Sequence, residues 1–166
     1  MKVWIETYGC TLNHADSDII RGILEEAGHT LSEDAPLVIL NTCSVKEATE
    51  NKIISRISRL KEEGRKVVVA GCLGINEARV RSAHKNAVIL LPNAVSEILR
   101  AIDFALKGEP ALIGKGGPKG PLPRLYTSPI QRIAVQEGCV GNCHFCQTRI
   151  ARPKLTSLTI REIRRI

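Results

Sequence analysis

The sequence predicts an α/β fold, a doubly wound parallel sheet, and three observations support this prediction. Over the first hundred residues, short apolar runs alternate with longer segments of helical spacing. Three of the longer segments are followed by a glycine, the residue that most often terminates a helix. Strands that alternate with helices form right-handed crossovers, which place the strands in one parallel sheet covered on both faces.

The predicted elements follow one another along the chain. Buried strands are expected at residues 3–8, 37–41, 67–71 and 87–91, with a further edge strand at 111–113. Helices are expected at about 17–27, 46–63, 76–83 and 95–106. Asp16 or Ser17 is expected to cap the first helix, because both residue types are frequent N-caps. Gly28, Gly64 and Gly108 are expected to end the three longer helices.

Length, composition and charge narrow the class of protein. The 166 residues suffice for one domain, or for one domain and part of another. With 43% hydrophobic and 25% charged residues the chain is neither a disordered tail nor a fibre. The net charge of +7 lies entirely in residues 108–166, which hold ten Lys/Arg and three Asp/Glu. Such a surface binds phosphate groups or is simply solvated.

No segment of the sequence predicts a membrane span or a secretory signal. The longest uncharged apolar runs are about five residues, whereas a span needs roughly 20. Glu6 follows so soon after Met1 that no apolar signal region can precede it. We therefore expect a cytoplasmic protein that does not contact a membrane.

A linker separates two regions of different composition. Residues 108–123 contain five glycines and four prolines, too many for a packed element. We therefore divide the chain into a domain at 1–107, a linker at 108–128 and a second region at 129–166. In the second region we expect a strand at 130–136, a cysteine-rich loop, and a helix capped by Thr156 or Ser157.

The cysteine-rich loop is the strongest local signal for a metal centre. Cys139, Cys143 and Cys146 have the spacing C-x3-C-x2-C, which lets three thiolates converge on one centre. A [4Fe–4S] cluster usually takes one thiolate per iron, so three thiolates leave one iron open to another ligand. Zinc is the alternative, with His144 as a nominal fourth ligand.

The other three cysteines each follow a predicted strand. Cys10, Cys43 and Cys72 come after the first, second and third apolar runs. The carboxyl ends of parallel strands lie at one edge of a sheet, where α/β domains bind ligands. We therefore predict that these thiols meet and form a second metal centre. Three buried structural cysteines are the alternative.

Several motifs resemble those of the radical S-adenosylmethionine methylthiotransferases. The similar stretches are 6–13 with Asp16 and Ser17, then 41–45, 70–72, and the C-x3-C-x2-C loop with Phe145 before its last cysteine. Together they span nearly the whole chain and include all six cysteines in the family's order. Residues 49–52 and 67–72 are most similar to the archaeal and eukaryotic-type tRNA branch.

This resemblance implies a fold and a set of cofactors. The fold would be an N-terminal methylthiotransferase domain, followed by the truncated start of a radical-SAM (β/α) barrel. Cys139, Cys143 and Cys146 would hold a [4Fe–4S] cluster that binds S-adenosylmethionine and cleaves it to a 5′-deoxyadenosyl radical, with Phe145 near the cofactor. Cys10, Cys43 and Cys72 would hold an auxiliary [4Fe–4S] cluster that carries the sulfur.

The resemblance also implies a reaction and its partners. An enzyme of this branch adds a methylthio group to C2 of N6-threonylcarbamoyladenosine, beside the tRNA anticodon. Its partners would be tRNA, bound through the basic C-terminal part and further domains, and an electron donor. Other branches modify isopentenyladenosine in tRNA or an aspartate of a ribosomal protein.

Two departures from the family pattern lead to further expectations. Pro153 stands where relatives often have glycine, and we interpret Arg149, Arg152 and Lys154 as a solvated strip, with a phosphate or carboxylate contact as the alternative. Only 20 residues follow Cys146, whereas a barrel needs about 250. We therefore expect no turnover from these residues alone. The second region is expected to dock on the first domain or to pair with another copy.

Two functions of other classes also fit the sequence. One is a metal-stabilised RNA-binding module without catalysis, which would contain zinc and bind RNA in a salt-dependent way. The other is a redox module in which Cys10, Cys43 and Cys72 form disulfides at the sheet edge.

Overall fold

The computed structural model describes residues 1–44 and 47–166, and its centre is a six-stranded parallel sheet. The strand order is β2-β1-β3-β4-β5-β6. These strands are β1 (Lys2–Thr7), β2 (Thr30–Leu31), β3 (Leu37–Thr42), β4 (Lys66–Gly71), β5 (Val88–Leu90) and β6 (Leu112–Ile113). The predicted parallel α/β sheet is confirmed. The sequence did not predict β2, because two residues are too few to show the periodicity of a strand.

Four helices cover the two faces of the sheet. They are α1 (Thr11–Glu26), α2 (Glu47–Glu62), α3 (Glu77–Ala83) and α4 (Ile98–Lys107). Ile19 and Ile20 of α1 pack with Ile98 and Ile102 of α4 in one hydrophobic core. The other core contains apolar residues of α2 and α3, namely Ile53, Ile57, Leu60 and Val80. Alternate residues of β3 point into different cores, which is the arrangement of a doubly wound domain.

The strand order reverses between β1 and β3. The chain moves from β1 to β2 on one side, and then to β3 on the other side of β1. The helices that follow β1 and β3 therefore lie on opposite faces of the sheet. A crevice opens where two such connections diverge, and in open α/β sheets this crevice is the usual binding site.

The first helix begins earlier than the sequence predicted. It starts at Thr11 with Cys10 as the N-cap, so the prediction that Asp16 or Ser17 caps it is wrong. Asn13 accounts for the early start, because its side-chain oxygen accepts a hydrogen bond from the Cys10 backbone at 3.3 Å. Asp16 and Ser17 lie inside the helix and are buried.

The other helix boundaries agree more closely with the predictions. Gly28, Gly64 and Gly108 follow the three longer helices with φ angles of 73°, 71° and 74°, which favour glycine at these positions. The fourth helix is shifted, because Pro92–Glu97 forms a 3-10 helix before α4 begins. Lys46, the predicted first residue of the second helix, lies outside the described residues.

The second region differs from its predicted secondary structure. Of the strand predicted at 130–136, only the last residue lies in a strand, β7 (Gln136–Glu137), so the prediction is wrong over most of its length. Strand β7 pairs antiparallel with β8 (Thr156–Ser157). Helix α5 (Gln147–Ala151) follows the cysteine-rich loop. Helix α6 (Ile160–Ile163) is capped by Thr159 and Glu162 rather than by Thr156 or Ser157, which are used in β8. That this region starts a (β/α) barrel stays a prediction.

None of the helices in the described part of the chain is long and apolar enough to cross a membrane.

One ion pair fastens α2 to the first strand. The Arg56 guanidinium donates to both carboxylate oxygens of Glu6, at 2.7 Å from Nη2 and 3.1 Å from Nε, and Tyr8 donates to the same carboxylate at 2.6 Å. Burial alone would raise the pKa of Glu6, but the hydrogen bonds from Arg56 and Tyr8 outweigh it and hold the pKa below the usual 4.5. Burial, together with the hydrogen bond to Glu6, raises the pKa of Tyr8 to about 12.

Replacing Arg56 with methionine should lower the free energy of unfolding by about 2 kcal/mol near neutral pH, the usual cost of losing a hydrogen bond to a charged group. Because Glu6 has a lowered pKa in the folded state, this stabilisation is present above its unfolded pKa and disappears as the pH falls through the folded one. Urea unfolding between pH 7 and about pH 3 should therefore show a smaller acid-induced loss in Arg56→Met than in the wild type. The exposed Arg59, replaced with methionine, is the matched control, and equal losses in both variants would contradict the prediction.

Candidate functional site

The structure brings Cys10, Cys43 and Cys72 to the carboxyl edge of the sheet, and we call these three residues the cysteine rim. Cys10 caps α1 after β1, Cys43 follows β3, and Cys72 begins the 3-10 turn Cys72–Ile75 after β4. Their three strands are neighbours in the sheet. Cys10 and Cys43 therefore flank the point where the strand order reverses.

The members of the cysteine rim lie close to one another. The Cβ of Cys43 is 3.0 Å from the position that a Cβ on Gly9, next to Cys10, would occupy. Thr42 and Gly71, the residues directly before Cys43 and Cys72, are paired in the ladder between β3 and β4. Three residues far apart in the sequence thus share one edge of the fold.

Burial differs among the three thiols. Cys10 is exposed, Cys43 is half-buried, and Cys72 is only 6% exposed. Burial raises the pKa of Cys72, while the charge of the neighbouring Arg152 guanidinium acts in the opposite direction. Cys72 is thus the least accessible member of the cysteine rim.

A buried hydrogen-bond lattice holds the first two cysteine-bearing turns together. The Asn13 amide donates to the Asn41 side-chain oxygen at 3.1 Å and to the Thr42 carbonyl at 3.0 Å. The Asn41 amide donates back to the Asn13 carbonyl at 2.7 Å and to Ser17 at 2.9 Å. Because Asn13 also accepts from the thiol of Cys10 at 3.3 Å, one side chain links Cys10 to the residues directly before Cys43.

The third turn is joined to the second by close backbone contact. Thr42 donates its hydroxyl to the Ala70 carbonyl at 2.6 Å. Gly71 has a φ of 90°, and a Cβ there would lie 2.5 Å from the Thr42 carbonyl oxygen. Only glycine permits this approach, so the residue before Cys72 is specified by the packing of β3 against β4.

The described residues contain no preformed site for a single metal ion. Within residues 1–44 and 47–166, no three His, Cys, Asp or Glu side chains converge closely enough to bind one metal ion. A zinc ion requires such convergence. Thiolates are ligands both of zinc and of iron–sulfur clusters, and that Cys10, Cys43 and Cys72 hold a metal centre stays a prediction.

The cysteine-rich loop, residues 139–146, lies outside the sheet. The backbone of Gly141 donates to the Cys139 sulfur at 3.2 Å, and the Cys143 sulfur lies 4.0 Å from the Cβ position of Gly141. Cys146 caps α5, and its backbone donates to the Cys143 carbonyl at 3.4 Å. The loop thus turns around Gly141 and holds two sulfurs beside it.

Two other residues of this loop are exposed. The Phe145 side chain is 86% exposed, and His144 is exposed as well. Cys139 and Cys143 are exposed and Cys146 is half-buried. The sulfurs of this set are therefore accessible to a ligand from solvent.

The second region docks on the first domain through a buried ion network, defined here as Asp16, Lys119, Glu137 and Arg152. Arg152 is only 1% exposed and donates to Asp16 at 2.5 Å and to Glu137. Lys119 donates to the same two carboxylates, at 2.7 Å and 2.9 Å. Of the two docking modes expected from the sequence, the structure contains the one with the first domain.

The interpretation of Arg152 as part of a solvated strip is therefore wrong. A buried guanidinium is stable only when carboxylates pair with it. The two carboxylates that pair with Arg152 belong to Asp16 and Glu137, which are distant from it in sequence. Lys154 is exposed, as expected, and Arg149 donates to the Asn142 side chain at 2.6 Å. Sequence reasoning missed Lys119 and Glu137, because no local pattern marks a long-range ion pair.

Comparison with known proteins identifies a family that this chain matches and several relatives of similar sequence. Residues 2–91 match the model of a family described as uncharacterized protein family UPF0004. The probable threonylcarbamoyladenosine tRNA methylthiotransferase of Archaeoglobus fulgidus is 42% identical over 96% of this chain and 39% of its own length. The corresponding Methanothermobacter thermautotrophicus protein is 38% identical, over 95% of this chain and 39% of its own.

A vertebrate relative gives a similar match. The threonylcarbamoyladenosine tRNA methylthiotransferase of Danio rerio is 32% identical over 98% of this chain and 32% of its own length. The chain therefore spans about two fifths or less of the length of these curated relatives.

Replacing Asn13 with alanine should lower the free energy of unfolding by about 2–3 kcal/mol, because buried polar groups of Asn41 and Thr42 lose their partner. Urea denaturation measures the change. Asn86→Ala, at an exposed site, is the matched control and should change stability by no more than about 0.5 kcal/mol. Equal effects of the two substitutions would show that the lattice does not hold the cysteine rim.

Proposed function

Because the chain belongs to the family described as uncharacterized protein family UPF0004, we propose that it serves tRNA methylthiolation by radical S-adenosylmethionine chemistry. The specific reaction is addition of a methylthio group to C2 of N6-threonylcarbamoyladenosine beside the anticodon. The observation that carries the proposal is that Cys10, Cys43 and Cys72 each follow one of three neighbouring strands at the same edge of the sheet. The names of the relatives, which specify threonylcarbamoyladenosine in tRNA, favour this substrate over isopentenyladenosine or a ribosomal aspartate.

The cysteine rim would hold the auxiliary [4Fe–4S] cluster. Three thiols are available for three irons, so the fourth iron would be left for an exogenous ligand. The buried Cys72 would shield one side from water, whereas the exposed Cys10 lies on the open side. The Asn13–Asn41 lattice keeps the turns in place, which is the role of residues around a metal site.

The cysteine-rich loop would hold the second [4Fe–4S] cluster through Cys139, Cys143 and Cys146. Its open iron would bind the amino and carboxylate groups of S-adenosylmethionine, and the exposed Phe145 is free to contact that cofactor. When bound, the clusters and S-adenosylmethionine supply the radical initiation and the transferable sulfur, which no protein side chain provides. The protein positions the two sites and requires an electron donor as a partner.

The basic residues of the second region support tRNA as the substrate. All of the excess positive charge of the chain lies in residues 108–166. Lys119 and Arg152 are used in the buried ion network, but other cations are exposed, namely Lys115, Lys154, Arg161, Arg164 and Arg165. Exposed cations neutralise phosphates and make binding depend on salt. A tRNA-modifying enzyme of this kind would act in the cytoplasm.

Anaerobic reconstitution with iron and sulfide tests the two clusters. The wild type should bind about eight irons per chain, and each triple Cys→Ala variant, of the cysteine rim or of the cysteine-rich loop, should bind about four. Electron paramagnetic resonance of the reduced variants should show that each triple replacement removes a different signal. His144→Ala is the control and should leave the iron content unchanged.

Other outcomes of this experiment would overturn the proposal. Stoichiometric zinc that disappears in His144→Ala would favour the metal-stabilised RNA-binding module. Loss of free thiols on mild oxidation, with no iron bound by the cysteine rim under any condition, would favour the redox module.

Substitution of three exposed arginines tests tRNA binding. Replacing Arg161, Arg164 and Arg165 with alanine should weaken tRNA affinity and reduce the slope of log K against log salt by up to about 3, since each phosphate contact adds about 1. Filter binding at several salt concentrations gives the slope. The matched control replaces the exposed Lys61, Lys85 and Lys107 of the first domain, and an equal change there would indicate nonspecific charge effects.

A further inference from the structure

Arg152 is the most deeply buried charged side chain at the contact between the two regions. It is among the largest side chains that are fully buried, at 1% exposure. It directly follows α5, which packs against the 3-10 turn that begins with Cys72. It is also only six residues after Cys146, so it stands between the cysteine-rich loop and the cysteine rim.

The partners of Arg152 connect both sets of cysteines. Asp16, which accepts from Arg152 at 2.5 Å, belongs to α1, the helix capped by Cys10. Glu137, which also accepts from Arg152, lies two residues before Cys139. Lys119 bridges the same two carboxylates, so two cations and two anions form a balanced network. A buried charge that loses its partner is strongly destabilising, so this network holds the two regions in one relative position.

The guanidinium of Arg152 also faces the cysteine rim. The helix that Arg152 directly follows packs against the turn that Cys72 begins, and the charge of Arg152 opposes the rise in the Cys72 pKa that burial causes. Arg152 therefore places a permanent positive charge beside the most buried sulfur of the rim.

We propose that Arg152 is a positioning residue that locks the cysteine-rich loop against the cysteine rim and raises the reduction potential of the cluster bound there. This inference rests on the proposed function, because it assumes that Cys10, Cys43 and Cys72 hold a cluster. Reduction adds negative charge to a cluster, and a nearby fixed cation stabilises that charge. Charge and hydrogen bonds around the sulfurs are the means by which proteins set such potentials.

The potential is best measured in a protein that contains only one cluster. In the Cys139→Ala/Cys143→Ala/Cys146→Ala background, redox titration followed by electron paramagnetic resonance reports on the cysteine rim alone. Arg152→Met should make the potential more negative, whereas Arg152→Lys, which keeps the charge, should restore most of the difference. Arg149→Met is the matched control, because Arg149 belongs to α5 but binds Asn142, and it should leave the potential unchanged.

A second variant allows for poor folding of Arg152→Met, which leaves two buried carboxylates with one cation. Asp16→Asn combined with Arg152→Met removes one charge of each sign and keeps the network balanced. It should lower the potential in the same direction, because the cation beside Cys72 is still lost. A potential equal to that of the wild type in both methionine variants, or equal shifts in Arg152→Met and Arg152→Lys, would overturn the electrostatic role.

Hydrogen–deuterium exchange tests the locking role without any iron. Amides of α5 and of the 3-10 turn should exchange at least about tenfold faster in Arg152→Met than in the wild type and Arg149→Met, as expected if about 1.4 kcal/mol of local stability is lost. Unchanged exchange would overturn this role. If the wild-type rim binds no iron while exchange responds as expected, the proposed function fails and the locking role stands.

Discussion

In a parallel sheet all strands end at the same edge, and here β1, β3 and β4 end side by side with a cysteine after each. The reversal of strand order between β1 and β3 sends the following helices to opposite faces, which opens a crevice at that edge. The position of Cys10, Cys43 and Cys72 is therefore a consequence of the topology. Without this constraint, residues separated by about thirty positions would have no reason to meet.

The turns that carry the cysteine rim are joined to one another by buried polar groups. Asn13 and Asn41 satisfy each other and the adjacent backbone, so the turns that carry Cys10 and Cys43 cannot move independently. Thr42 and Gly71 tie the third turn to the second. A fully satisfied buried network is rigid because each broken bond leaves an unpaired polar group. Such rigidity is what the proposed cluster site needs, because a preorganised site keeps its ligands in place before the cofactor binds.

The ion network extends this organisation to the second region. Its four charged residues come from α1, the linker, β7 and the position after α5. The network therefore attaches three segments with little regular structure to the first helix of the domain. The large apolar side chains of the cysteine-rich loop, Val140 and Phe145, are both 86% exposed, so hydrophobic burial contributes little to its position. Paired charges perform that task instead. The region with the most exposed sulfurs is thereby attached to the rigid edge of the sheet.

The sequence alone determined the α/β class, the strand and helix order of the first domain and the shared edge of its three cysteines, because these depend on local periodicity and on general rules of topology. The strand at 130–136 could not be predicted correctly, since extended structure needs a pairing partner that periodicity does not reveal. The tertiary structure alone decided the roles of Asp16 and Arg152. Asp16 is a residue type that often caps helices, and Arg152 is a residue type that usually faces solvent. The two residues nevertheless pair across 136 positions of the sequence. Whether a charge is buried depends on partners that folding brings together, and no local pattern encodes that distance.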